Sequence, residues 1–262
     1  SSDLTVTVTE RNFDESAFRF AITNTDGTQP AISGWSHSAN SGASDEATHT
    51  CTVTFAADGD YTMSASCTDL AGNSQESEAV PEFTIDKTLP TVNVTYNNNS
   101  AQNGKYYKEA RTATITITEH NFRAADVRVT TTASLNGAAI SAPTVSGWST
   151  SGDRHTATIT YGKDGDFTFD IAYIDLAGNA MADYSQDSFT VDMTEPEVEI
   201  TGVKNKSANK GTVAPVIRIS DINYNADHVT LTLTGANKGK ISVDSLVSRT
   251  TTANGQTITF RN

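Results

Sequence analysis

The chain has 262 residues and a formal net charge of −13, from 31 acidic against 18 basic side chains. That balance repels nucleic-acid phosphates and anionic lipid surfaces, so neither is expected as a partner. No run of about eighteen apolar residues is present to cross a bilayer as a helix, so membrane insertion is not expected.

Residues 4–9, Leu-Thr-Val-Thr-Val-Thr, alternate apolar and hydroxyl side chains. A period of two predicts a strand with Leu4, Val6 and Val8 on its buried face. The strand runs into Glu10-Arg11-Asn12-Phe13. Glu119-His120-Asn121-Phe122 follows Ala113, Ile115 and Ile117 in the same way, and Asp221-Ile222-Asn223-Tyr224 follows Ile217 and Ile219. Each copy places an acid, an Asn and an aromatic at the mouth of a loop. There the Asn can bond local backbone and the ring can plug the end of a core. Further strands are expected around Phe18/Phe20/Ile22, Val127/Val129 and Val229/Leu231/Leu233.

Ser33-Gly34-Trp35-Ser36 is matched by Ser146-Gly147-Trp148-Ser149. Trp35 and Trp148 read either as core packing or as exposed aromatics for a protein or carbohydrate contact. The spacing around them varies. Loops are therefore expected over Gly27–Ser33, Ser36–Asp45, Asn97–Tyr107 and Leu135–Ala142.

The strand His49–Phe55 presents Cys51, Val53 and Phe55 on one face. Asp58-Gly59-Asp60-Tyr61-Thr62 then turns into a strand carrying Tyr61, Met63, Ala65 and Cys67, which ends at Asp69-Leu70-Ala71-Gly72-Asn73. The same pair of motifs returns with a constant offset of 106, since 58 becomes 164 and 69 becomes 175. Last strands follow at Glu82–Asp86 and Ser188–Asp192. Each enters a Pro joint, Lys87-Thr88-Leu89-Pro90 or Met193-Thr194-Glu195-Pro196, where Pro ends the strand. New strands begin at Thr91 and Glu197. No helix longer than a turn or two is expected.

Strands every 8–12 residues, about seven per repeat, predict an all-β chain of tandem immunoglobulin-like antiparallel sandwiches, elongated in arrangement. The expected domains are 1–88, lacking its first strand, then 89–194, complete, and 195–262, partial and lacking its last two strands. The third is expected to be the least stable. The start at Ser1-Ser2-Asp3, without Met, reads as a piece of something longer.

The motifs resemble the bacterial immunoglobulin-like, Big-type, tandem repeats of Gram-positive cell-surface proteins. The resemblance rests on the Tyr61- or Phe167-led strand, the Asp-Leu-Ala-Gly-Asn turn, the Phe-Thr-Ile/Val-Asp strand and the Pro joint. It implies an extracellular, secreted or wall-anchored protein with neighbouring repeats in the full-length chain, and it implies no catalytic residue. Proteins built of such repeats serve as adhesive modules or as stalks, and some bind host proteins, immunoglobulins among them.

Three chemistries can be read from the residues themselves. Cys51 and Cys67 lie on core faces of consecutive strands, each near the connecting turn, and read as a disulfide across the core or as two buried thiols. Asp58, Asp60, Asp69 and their counterparts read either as oxygen donors for calcium or as turn acceptors, and their spacing, which fits no calcium loop, favours the turn. Asp86 and Asp192, beside the Glu/Asp-x-Asn loops, are a weaker version of the same metal idea. No metal, cofactor or catalytic residue is expected. The five histidines are scattered without a nucleophile in recognisable context, so the protein is expected not to be an enzyme. The functional expectation is a binding module for a host or environmental protein or glycan. The alternatives are a stalk that projects another domain and an accessory region of a secreted enzyme.

Overall fold

The computed structural model describes residues 2–39, 47–77, 79–235 and 239–261. The protein is all-β, built of mostly antiparallel sheets, with three single-turn 3-10 helices among the described residues. It forms two compact units. The first contains residues 1–91 together with the loops 119–126 and 173–181; the second contains 92–118, 127–172 and 182–262.

In the first unit the strands are β1 (Ser2–Glu10), β2 (Arg19–Asn24), β3 (Ala31–Ile32), β4 (Ser36–Ala39), β5 (Ala47–Phe55), β6 (Gly59–Thr68), β7 (Ser74–Glu76) and β8 (Val80–Ile85). One sheet has β1 beside β5, with β3 and β4 on the other edge of β5. The second has β2 beside β6, with β7 and β8 sharing the far edge of β6. The core lies between them: Val53, Phe55, Tyr61 and Met63 are buried, and Leu4, Val6, Phe20, Ile22, Phe83 and Ile85 pack around them. Phe55, Tyr61 and Phe83 form a ring cluster with centroids 5.0–5.5 Å apart. These are the alternate residues that period two places on one face.

In the second unit the strands are β9 (Thr91–Tyr96), β10 (Tyr106–Tyr107), β11 (Arg111–Thr118), β12 (Arg128–Leu135), β13 (Ala138–Ala139), β14 (Ser149–Ser151), β15 (Arg154–Tyr161), β16 (Gly165–Ala172) and β17 (Asp187–Val191). They form the sheets β14-β15-β11-β9 and β10-β17-β16-β12-β13. Ala113, Ile115, Ile159, Tyr161, Phe169 and Val191 are sealed between them. Here β10 runs parallel to β17. The remaining strands are β18 (Glu197–Thr201), β19 (Val216–Ser220), β20 (Leu233–Gly235), β21 (Gly239–Ile241), β22 (Val247–Thr252) and β23 (Gly255–Phe260). The sheet β18-β19-β23-β22 faces a small core of Ile217, Val247 and Ile258, while β20 and β21 form a separate two-stranded sheet among the described residues.

The expected strand at Val229–Leu233 is mostly coil, though Val229 and Leu231 still pack on that core. Several expected loops contain short strands. Ala31–Ile32 and Ser36–Ala39 both pair with β5, and Ala138–Ala139 forms a hairpin with β12. Residues 40–45 of the expected Ser36–Asp45 loop lie outside the described residues. Each acid-x-Asn-aromatic motif leads into one 3-10 turn, at Glu15–Ala17, Ala124–Asp126 and Ala226–His228.

Candidate functional site: the carboxylate cluster at Asp86

The repeated Asp residues of the turns are consumed locally. Asp58 Oδ2 accepts from Lys87 N at 3.1 Å and from Thr88 Oγ1 at 2.8 Å, so the turn holds the start of the joint. Its Oδ1 lies 3.3 Å from Lys87 Nζ, an ion-pair distance without hydrogen-bond geometry. The Thr88 hydroxyl is the main reason its carboxyl sits below the ordinary value, with the Lys87 groups adding to it. Asp164 repeats the arrangement with Met193 N and Thr194 Oγ1. Asp60 and Asp166 each accept from a threonine hydroxyl at 2.6 Å, Thr84 and Thr190. Asp69 accepts from the backbone and side chain of Asn73 at 2.8 and 2.7 Å, and Asp175 accepts likewise from Asn179 at 2.8 and 2.9 Å. Gly72 and Gly178 take φ of +89° and +93°, the conformation that requires glycine in these turns.

One constellation assembles from three separate segments. Within the first unit, Asp86 at the end of β8 meets Glu119 and Asp175, with one oxygen from each within 4.8 Å of the others. Glu119 and Asp175 are 4% and 5% exposed. Asn121 donates Nδ2 to Asp86 Oδ2 at 3.0 Å, and Asn179 Nδ2 reaches the Asp86 carbonyl at 3.2 Å. Glu119 Oε1 in turn accepts from Asn121 N at 2.8 Å. Burial pushes the Glu119 carboxyl above the ordinary value. The Asn121 amide opposes this, and the charges of Asp86 and Asp175 and a hydrogen bond to Asp86 reinforce it. Three carboxylates so close are hard oxygen donors of the type that suits a divalent cation such as calcium. They are fewer than the six to eight oxygens calcium usually takes. Burial and the neighbouring charges of Asp86 and Asp175 thus favour the neutral form of Glu119.

The second unit repeats half of this set. Asn223 Nδ2 donates to Asp192 Oδ2 at 2.8 Å, and Asn223 N donates to Asp221 Oδ1 at 2.7 Å. The sequence already set Asp86 and Asp192 beside the Glu/Asp-x-Asn loops. Nothing in it signalled that Asp175, from the next Asp-Leu-Ala-Gly-Asn turn, joins Asp86 and Glu119. The usable signal was that all three belong to motifs that repeat.

The other sequence candidates separate. Cys51 and Cys67 are free thiols, the first buried and the second half-buried, so the bridge entertained from the sequence is not formed. The level of the side chains explains this. Phe55 touches Tyr61 across the core, and Val53 and Met63 belong to the same cluster. Stepping outward by twos sets Cys51 level with Ala65, and Cys67 one step further along. One such step is about 7 Å of strand, too far for a disulfide. Trp35 and Trp148 are both half-buried. Trp35 is wedged between Phe13 and Phe18, each with ring centroids 4.8 Å from it. His37 and His49 hold each other by Nδ1 at 2.7 Å, His155 takes Thr150 Oγ1 at 2.9 Å, and His120 Nε2 lies 3.4 Å from Asp60 Oδ2. None of these contacts couples an imidazole to a cysteine or serine nucleophile.

Comparison with known proteins agrees with the geometry of the first sandwich. Residues 3–87 match the bacterial Ig-like domain family. Among solved structures, the chain is similar to FdeC, an Escherichia coli adhesin, at 14% identity and a TM-score of 0.33, covering 98% of this chain and 88% of that one. That likeness is too distant to bear on function. No curated protein matches the chain. Over residues 3–87 the first sandwich is thus similar to bacterial immunoglobulin-like domains, a likeness of fold.

Proposed function

We propose that the protein is a non-catalytic binding region of a bacterial cell-surface protein, whose immunoglobulin-like modules recognise a host or environmental protein or glycan. The observation that carries this reading is the division of labour among the side chains. The repeat-matched acids and asparagines are spent on turns and joints, whereas the parts that differ between repeats lie on exposed connections. Residues 25–34 and 136–147 are mostly exposed, and each ends beside a half-buried tryptophan, Trp35 or Trp148. A half-exposed indole on a rigid scaffold suits a flat apolar contact with a polar rim. A host immunoglobulin is among the targets that fit this class.

The reading is tested with the whole chain on arrays of glycans and host proteins, alongside variants in which residues 25–34 and 136–147 are exchanged. Saturable binding that follows one exchanged segment supports it. Interchangeable segments with no saturable ligand would favour a stalk instead. The stalk reading has its own support in the Asp58–Thr88 and Asp164–Thr194 bonds, which tie each joint to the preceding turn.

A further inference from the structure

Two of the histidines that are scattered in the sequence meet across a strand pair in the first sandwich. His37 on β4 lies directly opposite His49 on β5. Their Nδ1 atoms face each other at 2.7 Å, and the rings stand at 68° with centroids 5.0 Å apart. His49 is 7% exposed, whereas His37 lies open to solvent. The buried ring is held on two sides. Phe13 stacks on it at 4.3 Å, 16° from parallel, and its Nε2 lies 2.9 Å from the Glu10 carbonyl. A carbonyl oxygen can only accept, so Nε2 carries the proton, and the neutral ring turns its Nδ1 lone pair toward His37.

The second sandwich shows what this framework position needs for itself. His155, 106 residues after His49, is likewise buried, at 5% exposed. Thr150 lies opposite it, with its hydroxyl 2.9 Å from His155 Nδ1. One hydroxyl is thus enough to satisfy the buried nitrogen. His37 fills the same role and adds a second ring nitrogen on the solvent side of the first.

We propose that His37 and His49 form a binding site for a divalent transition-metal ion that favours imidazole, copper(II) above all. Neutral imidazole is the commonest protein ligand for such ions, and copper(II) is bound most tightly of the divalent first-row series. Two ligands at about 2.0–2.1 Å from a metal stand about 2.9 Å apart at a right angle and about 3.3 Å apart in a tetrahedron. The pair at 2.7 Å is nearer the square arrangement that suits copper(II). The bond from His49 Nε2 to the Glu10 carbonyl is of the kind that orients a metal-ligating histidine and fixes its tautomer. His37 supplies the adjustment: its exposed ring turns until both lone pairs converge, and its proton moves from Nδ1 to Nε2. That is a change of tautomer, so the neutral pair releases no proton on binding. Water completes the coordination on the open side.

Copper(II) chloride titrated into the whole chain, followed by electron paramagnetic resonance, tests this, because nitrogen splittings count the imidazoles on the metal. One equivalent should bind with two nitrogens. Copper held instead by the Asp86, Glu119 and Asp175 carboxylates would carry no such splitting. His37→Thr copies the Thr150–His155 arrangement, so it should keep the melting temperature and weaken binding at least about tenfold. Thr150→His should create a second two-nitrogen site in the second sandwich. His228→Ala, at an exposed histidine elsewhere, should change neither affinity nor spectrum. The proposal is overturned if His37→Thr binds copper as tightly with the same splittings, or if the copper on the parent chain shows oxygen ligands alone. A folded Thr150→His chain that gains no nitrogen-ligated copper would overturn it too, because opposed imidazoles would then not suffice.

Discussion

Asn121 donates its side-chain amide to Asp86 at 3.0 Å, and Asn223 does the same for Asp192 at 2.8 Å. The acid-x-Asn-aromatic motif therefore has a specific role, because its Asn receives the acid that ends a Phe-Thr-Ile/Val-Asp strand. The acceptor is charged and half-buried, so Asn121→Ala should cost about 1.5 kcal/mol or more. A lowered midpoint in thermal or urea unfolding would show it. An unchanged midpoint would mean that Thr88 N, which also donates to Asp86, is enough by itself.

Glu119 predicts an unusual pH response. Its carboxyl is raised above 4.5, first by burial and then by its acidic neighbours. Its contribution to stability is therefore full below the unfolded value and is lost as pH rises through the raised folded value. In buffer with a chelator at neutral pH, Glu119→Gln should raise the melting temperature, since it removes a carboxylate the fold holds poorly. Below the unfolded value, the variant and the parent should converge. A variant less stable than the parent at neutral pH with chelator present would refute this.

Asp58 has the opposite sign. Its carboxyl is lowered, chiefly by the Thr88 hydroxyl, so its contribution is present above 3.8 and is lost as pH falls through the lower folded value. Asp58→Asn should reduce stability at neutral pH and have little effect in strong acid. The comparison needs only melting curves of both proteins at several pH values.

Free thiols should be counted in two stages. Native protein should react at Cys67 with a small disulfide reagent and spare Cys51, which is 2% exposed and whose thiol burial pushes up. Denatured protein should yield both. Two unreactive cysteines under denaturing, non-reducing conditions would show that the bridge forms after all.

Hydrogen exchange should grade the strands. On β18, Val198 and Ile200 are 59% and 58% exposed, whereas their counterparts Val92 and Val94 on β9 are half-buried. The core behind β19 and β23 is three buried residues with a partly buried fringe. Amides of β18, β19, β22 and β23 should therefore exchange faster than those of β15 and β16. Equal protection would contradict the expectation that this last region is the least stable.

Much of this molecule is legible in its residues, because the relevant signals are local. Period two over Leu4–Thr9, His49–Phe55 and Tyr61–Cys67 sets which side chains face a core, and the strands obey it. Asp-Leu-Ala-Gly-Asn sets a turn, because Gly72 and Gly178 must take positive φ and Asp69 and Asp175 sit where Asn73 and Asn179 can donate to them. The 106-residue offset sets the repeat, and the Pro joints interrupt the ladders as Pro must. What spacing does not encode is which separate segments meet. Cys51 and Cys67 both face a core, but only the packed pairs Phe55–Tyr61 and Val53–Met63 fix their levels and hold the thiols a step apart. Asp86, Glu119 and Asp175 lie far apart in the chain, and packing alone turns three turn-and-joint acids into one cluster. Both are decided by which strands lie against each other, because a strand's side chains specify a face while its backbone leaves the neighbour open.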